Sequence, residues 1–399
     1  MSAITTEAWV LYRGQNGNGH CAGNGHGDGN GHGNPGAELR LEAFTFDEPG
    51  EYEVLVEPLL GCWEGNMSHA LARQPVDICR ERGEEKVVIG NAGVVRVLKP
   101  GREVKNVREN DVCLVFCNGV WDEHGYPKKI YAYDAPNTCG LLAKRTKLHE
   151  RQLIPLPLAS GIRLDQWAAF SLRFITAWAN WKVAYGAWRI QSENGESPDV
   201  WGWGGGATLA ELLLARMAGC KTAMVSSHPE RLDVIQSAGI EAVDRNRFPD
   251  LSYDRERYQN GQDYRDRYLH SERQFLDIVR DKTEGRGVSI FVDYIGQPVF
   301  RATLKSLARP GVITTAGWKG GMDMALIRAM ECISWHTHVH THYARYREGV
   351  EAVAFSVAHG WAPPACEQSW RWDEIPALAR DYSLGKTTTF YPIYHVNPA

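Results

Sequence analysis

Val200–Gly219 reads VWGWGGGATLAELLLARMAG, and the reading of its glycines decides the fold. Gly202, Gly204, Gly205 and Gly206 follow a short apolar run and open a segment that carries Leu209, Leu212 and Leu213 at helical spacing. Glycines between a strand and a helix let the backbone approach a pyrophosphate, whose charge then sits at the helix N-terminus. Alone such a turn is weak evidence, because a simple tight turn looks the same. The flanks carry the argument. KTAMVSS, HPERLDVIQSAG and EAVD continue the alternation of strand and helix that builds a parallel sheet covered by helices. VSIFVDYIG and VITTAGWKGG resume it after a polar, Arg- and Tyr-rich excursion in 246–282, which is expected to be helical with a solvated face. Thr208 stands where a third glycine often permits close packing, so looser packing of the helix is expected.

The second strand of this unit ends in MVSSHPER. A site for NAD would typically place Asp or Glu there, to bond the ribose 2′-hydroxyl. Ser226, Ser227 and Arg231 instead offer donors and a positive charge suited to a 2′-phosphate, which favours NADPH.

Upstream, AWVLYR and EYEVLVEPLL are strand-like, as are KVVIGNAGVVRVLKPG and VRENDVCLVFC, and their short spacing suggests a barrel-like β unit. Residues 14–36, a tract of Gly, Asn and His, interrupt it near its first turn. His20, His26 and His32 in that tract are read as part of a flexible insertion rather than as metal ligands. From residue 164 an apolar helix follows, with Phe170, Phe174, Ala177 and Trp181 on one face. VEAVAFSVAHG and IPALARDYSLGK read as closing helices. The fourteen tryptophans, among them Trp63, Trp178, Trp203, Trp318 and Trp335, are expected chiefly in cores.

Composition is that of a soluble globular protein: 43% hydrophobic, 23% charged, formal net charge −4. Neither nucleic acid nor membrane is an expected partner. The nine scattered cysteines form no CxxC pair and read as reduced thiols of a cytoplasmic protein.

Joining these two kinds of domain resembles the medium-chain dehydrogenase/reductase superfamily, and within it the crotonyl-CoA carboxylase/reductase group. IYAYDAPNTCGLLAK, RQLIPLP, the polar excursion, FVDYIG, GVITTAGWKGG and above all THYARYREG carry the resemblance, over about residues 40–398. It implies an α/β protein in which a GroES-like β-rich catalytic domain (1–175) precedes a Rossmann doubly wound NADP-binding domain (176–345). A C-terminal segment (346–399) would close back on the first domain. It also implies hydride transfer from NADPH to the β-carbon of an α,β-unsaturated acyl thioester, carried by coenzyme A or a carrier protein, and a two-fold homodimer is the general expectation for an oligomer. Thr176, Ile295, Gly296 and Gly317 fall where relatives contact the cofactor.

The group's Asn-Tyr-Asn segment, whose asparagine helps hold carbon dioxide, is here Trp63-Glu64-Gly65 in an ungapped match, with Asn66 one residue away. That departure favours protonation of the enolate over its carboxylation, with Glu64 as a candidate proton carrier. A surface carboxylate is the alternative role for Glu64. Zinc is not expected, because Gly90-Asn91-Ala92 replaces the Gly-His-Glu of zinc-dependent relatives and Cys62 is out of register by one. A quinone or enone reductase on the same scaffold, and a catalytically silent NADPH-binding protein, are the alternative functions.

Trp335–Glu348 reads WHTHVHTHYARYRE. Alternation at period two would place His336, His338, His340 and His342 on one face of a late strand of the nucleotide-binding sheet. A hydrogen-bonded interface stripe is expected there, not a metal site. His342 aligns with the resembling group's active-site histidine, which orders water or carbon dioxide, and Asp165 lies near the match to its acidic partner.

Overall fold

The computed structural model describes residues 3–14, 37–192, 197–317, 323–366 and 368–398. Residues 15–36 of the Gly/Asn/His tract, with His20, His26 and His32, lie outside the described residues, as does Trp318. The chain divides into two compact units, Met1–Ile175 with Ala344–Ala399, and Thr176–Tyr343. The boundary falls within the helix Leu164–Arg189, where Phe170, Phe174, Ala177 and Trp181 are all buried.

The first unit is built on antiparallel strands. Ala3–Tyr12 pairs with Leu39–Asp47, from Ala3↔Asp47 to Leu11↔Leu39, and with Lys86–Val88 on its other edge. The larger sheet centres on Glu53–Cys62, which pairs with Gly93–Pro100, Thr146–His149 and the C-terminal strand Ile393–His395. Val54 and Val56 alternate inward along it, as a half-buried strand requires. At its end Gly61 leaves room for the ring of Tyr394: a Cβ there would stand 2.1 Å from Tyr394 Cζ. The strand then hands over to the helix Gly65–Ala72, whose Met67, Ala70 and Leu71 pack with Ile375 and Leu378 of the helix Ile375–Ser383.

The second unit is a six-stranded parallel sheet. Its strands, in chain order, are Asp199–Trp203, Lys221–Ser226, Glu241–Asp244, Val288–Asp293, Leu307–Thr314 and His338–His340. Their spatial order is third, second, first, fourth, fifth, sixth, which is the doubly wound arrangement with its reversal beside Asp199–Trp203. The polar excursion forms the helices Arg255–Asn260 and Gln262–Lys282. The latter exposes most of its charges, keeps Glu272 buried against Arg301 and Lys305, and sends Tyr268, Phe275, Ile278 and Val279 to join Trp201, Trp203 and Phe291 in the core.

Two expectations are corrected. The histidine stretch is a strand only over His338–His340, at the sheet edge. His336 precedes it in the left-handed region (φ 53°), which ends the alternation, so four imidazoles do not share one face. His336 Nε2 instead meets an Arg309 guanidinium nitrogen at 3.2 Å, and His338 Nε2 meets Gln191 Oε1 at 3.0 Å. The helix after the glycine turn is not loosely packed either. Thr208 is fully buried, and a Cβ on Gly202 would stand 2.6 Å from its Cγ2. The space a third glycine would leave at 208 is given instead by Gly202 and Gly204.

Candidate active site

In the second unit the predicted cofactor residues gather at the carboxyl ends of adjacent parallel strands, where doubly wound sheets bind nucleotides. Gly204 (φ 149°) makes the turn after Asp199–Trp203, and a Cβ there would lie 2.3 Å from Thr208 Oγ1. Gly205 caps the helix Gly206–Met217 without a side chain, and its Cβ position faces open space. That leaves room for a phosphate against the first helical turn. Ser226 ends the neighbouring strand, with Ser227 next in the chain and Arg231 in the helix Pro229–Ser237. The strand ends in Ser226 and Ser227 rather than in a carboxylate of its own, and this donor set fits a 2′-phosphate. Gly317 (φ 82°) follows Leu307–Thr314.

Three groups that sequence reasoning missed fix these strand ends. Asp293 is buried, and its Oδ1 accepts the backbone N–H groups of Ile295 (3.1 Å) and Gly296 (2.9 Å) while Thr303 donates to Oδ2 (2.7 Å). Burial raises its pKa, and those three donors oppose the rise. Glu211, on the glycine-turn helix, is fully buried and receives the Tyr294 hydroxyl at 2.6 Å. Burial pushes its pKa up to about 8 against that bond, so it adds no full negative charge to the phosphate helix at neutral pH. Asn180 takes both backbone groups of His342: its Oδ1 accepts the N–H at 3.0 Å and its Nδ2 donates to the C=O at 3.0 Å. Thr314 Oγ1 also donates to Asn180 Oδ1, and Asn180 Nδ2 donates to Thr176 O. Thus Thr176, Thr314 and His342 are tied through one buried amide. A lone asparagine in the apolar run FITAWANW was the available signal.

In the first unit Glu64 is buried, which removes the surface alternative. It sits at the N-cap of Gly65–Ala72, where a side chain usually accepts a helix N–H, yet it makes no such bond. Its Oε2 instead pairs with Arg173 Nε at 3.2 Å, and its Oε1 has no hydrogen-bond partner. Arg173, equally buried, also donates to Cys62 Sγ (2.6 Å) and Trp63 O (2.8 Å) and lies over the Tyr391 ring. Burial pushes the Glu64 pKa up to about 7, with Arg173 and the Cys62 hydrogen bond pulling it down. Burial likewise raises the Cys62 thiol, leaving it neutral. Asn66 is in the first turn of the same helix with its Oδ1 buried and unpartnered. Asp165 stands apart from this cluster, with both carboxylate oxygens engaged by Arg163. Among the described residues no group of three or more His, Cys, Asp or Glu is disposed to hold a metal ion. No described helix is long and apolar enough to cross a membrane.

No family model matches the chain. A crotonyl-CoA reductase of Streptomyces collinus is 25% identical over 243 residues, 61% of this chain and 51% of that protein. One of Streptomyces avermitilis is 25% identical over 306 residues, 74% of this chain and 65% of that one. The chain therefore matches only about half to two thirds of the length of these relatives. Among solved structures, a crotonyl-CoA carboxylase/reductase covers 98% of this chain and 88% of its own at TM-score 0.76 and 20% identity. The 2-octenoyl-CoA carboxylase reductase CinF, in complex with NADP and 2-octenoyl-CoA, covers 98% and 87% at TM-score 0.76 and 17% identity. A thermostable alcohol dehydrogenase from Pyrobaculum aerophilum covers 98% and 100% at TM-score 0.69 and 12% identity.

A GroES-like β-rich unit with a Rossmann unit of this strand order gives the chain the fold of these solved structures. In sequence it is similar to crotonyl-CoA reductases, and in fold to crotonyl-CoA carboxylase/reductases.

Proposed function

We propose that this chain reduces the double bond of an α,β-unsaturated acyl thioester, the enolate taking a proton rather than carbon dioxide. The acyl carrier is coenzyme A or a carrier protein. NADPH, when bound, supplies the hydride to the β-carbon. Gly204–Gly206 and the helix N-terminus would hold its pyrophosphate, and Ser226, Ser227 and Arg231 its 2′-phosphate. Ile295, Gly296 and Gly317 line the same strand ends. Asn180 holds the backbone of His342, which fits a histidine whose ring must keep a fixed place to order water.

Glu64 is the observation that carries the preference for protonation. Where the resembling group has Asn-Tyr-Asn, this chain buries a carboxyl whose pKa is raised to about 7 and whose Oε1 has no partner. Such a group is protonated often enough at neutral pH to donate, and basic enough to be reloaded. The chemistry is zinc-independent in this reading, since Cys62 is occupied by Arg173 and Asn91 offers no ligand of the usual kind. We also propose a homodimer across the edge strand His338–His340. Beside that strand Ile327, Met330, Ile333 and Trp335 are exposed apolar side chains that a second copy would cover.

The test is NADPH consumption with a panel of 2-enoyl-CoAs, enoyl thioesters of a carrier protein, quinones and simple enones. Turnover on thioesters alone supports the reading, and turnover on quinones or enones alone contradicts it.

A further inference from the structure

Two of the stretches that carry the resemblance, RQLIPLP and THYARYREG, have a second structural role. In the first unit they meet at a pocket of about 340 Å³ whose lining includes Phe116, Asn118, Trp121, Arg151, Tyr346 and Arg347. That volume lies at the small end of ligand sites, roughly 300–1,000 Å³.

Its walls are held from behind. Asn118 donates to Ala344 O at 3.3 Å and receives Gln152 Nε2 on its own carbonyl at 2.7 Å. The Tyr346 hydroxyl donates to Leu153 O at 2.8 Å, and its ring meets Phe116 edge-on at 5.8 Å. Trp121 meets His149 edge-on at 5.1 Å. These contacts present three aromatic rings in fixed positions.

The charges sort into two kinds. Arg345, on the rim, is committed: it pairs with Glu348 at 3.0 and 3.1 Å and lies over the Tyr126 ring. Arg151 and Arg347 are not, for among the described residues neither guanidinium has a carboxylate partner. Arg151 lies over Trp121, 5.5 Å from the ring centre. The neighbouring Glu150 carboxylate accepts Lys105 N at 3.1 Å, and no carboxylate lines the pocket. Two uncompensated guanidiniums beside fixed aromatic walls favour an anion that also carries a flat apolar body.

We propose that this pocket is a second ligand site, for an organic anion made of one planar ring system and a phosphate, the chemistry of a mononucleotide. The ring packs on the Trp121, Phe116 and Tyr346 walls, and Arg151 and Arg347 take the phosphate oxygens. The site consists only of residues of the first unit, whereas the glycine turn belongs to the second. It goes beyond the reductase reading and does not rest on it.

Photolabelling of the full chain with 8-azido-AMP, mapped by peptide mass spectrometry, tests this with a readout specific to place. Label is expected on peptides covering 116–125 or 345–347, displaced by AMP far better than by adenosine or inorganic phosphate. R151A/R347A should lower that label at least tenfold while leaving NADPH affinity intact, since both side chains are at the surface. Absence of label, label confined to 200–231, pocket label unchanged in R151A/R347A, or displacement by inorganic phosphate as effective as by AMP would each overturn the proposal.

Discussion

Replacing Glu64 with Gln removes the proton and keeps the shape. In the folded chain Glu64 Oε2 faces Arg173 Nε at 3.2 Å, and a glutamine carbonyl can accept that same bond. The variant keeps a hydrogen bond to Arg173 but no counter-charge, so it should incur part of the roughly 3–5 kcal/mol that follows when a buried charge loses its partner, and Glu64→Ala should incur more. The kinetic effect is larger. A positioned general acid contributes about 10²–10⁴-fold, so E64Q should lower kcat at pH 7 by about 100-fold or more. With a pKa of about 7, the wild-type carboxyl is about half protonated at pH 7 and about a tenth protonated at pH 8. Wild-type kcat should then fall about fivefold between those values, and E64Q should lose that alkaline limb. The assay is steady-state NADPH consumption with an enoyl thioester across pH 6–9, with thermal melting as the control for folding. A folded E64Q with wild-type kcat and an unchanged alkaline limb would refute the assignment.

Other residues give sharp expectations. S226A/R231A should weaken NADPH binding by about tenfold or more while barely altering NADH, because charge-assisted bonds to the 2′-phosphate are worth about 1.5–3 kcal/mol; equal losses for the two nucleotides would contradict the 2′-phosphate site. Gly204→Ala sets a Cβ 2.3 Å from Thr208 Oγ1 at φ 149°, so it should cost about 1–3 kcal/mol in chemical denaturation, partly recovered by adding Thr208→Gly. His342→Ala should impair turnover far more than His336→Ala, whose ring meets Arg309 instead; equal effects would remove the distinction between them. Glu211 should make the fold lose stability as pH rises from about 4.5 to 8. Over that window the unfolded chain has released the proton and the folded chain still holds it. Glu211→Gln should accordingly raise Tm more at pH 8 than at pH 5, and an equal rise at both would show that Glu211 is ionised in the fold.

The glycine turn was legible because its signals are local. Strand, glycines and helix lie within Val200–Gly219, and the strand ends Ser226 and Gly296 follow from the same alternation. What was illegible depends on distant contacts. Arg173 and Asn180 sit in an apolar helix whose pattern says only that they are buried, whereas their partners, Glu64 and His342, lie 109 and 162 residues away in the chain. The histidine run misled for a backbone reason. Period-two spacing predicts one face only if every residue is extended, and His336 is not. Thr208 misled because the room a glycine provides was moved to Gly202 and Gly204, a compensation visible only once strand and helix are packed.

The central claim is reduction of an enoyl thioester with a proton, not carbon dioxide, closing the reaction. The most direct measurement is the product mass from NADPH and crotonyl-CoA, with and without bicarbonate. The expected product is the saturated acyl-CoA under both conditions, with a solvent deuteron at the α-carbon in heavy water. A product heavier by the mass of carbon dioxide when bicarbonate is present would contradict it.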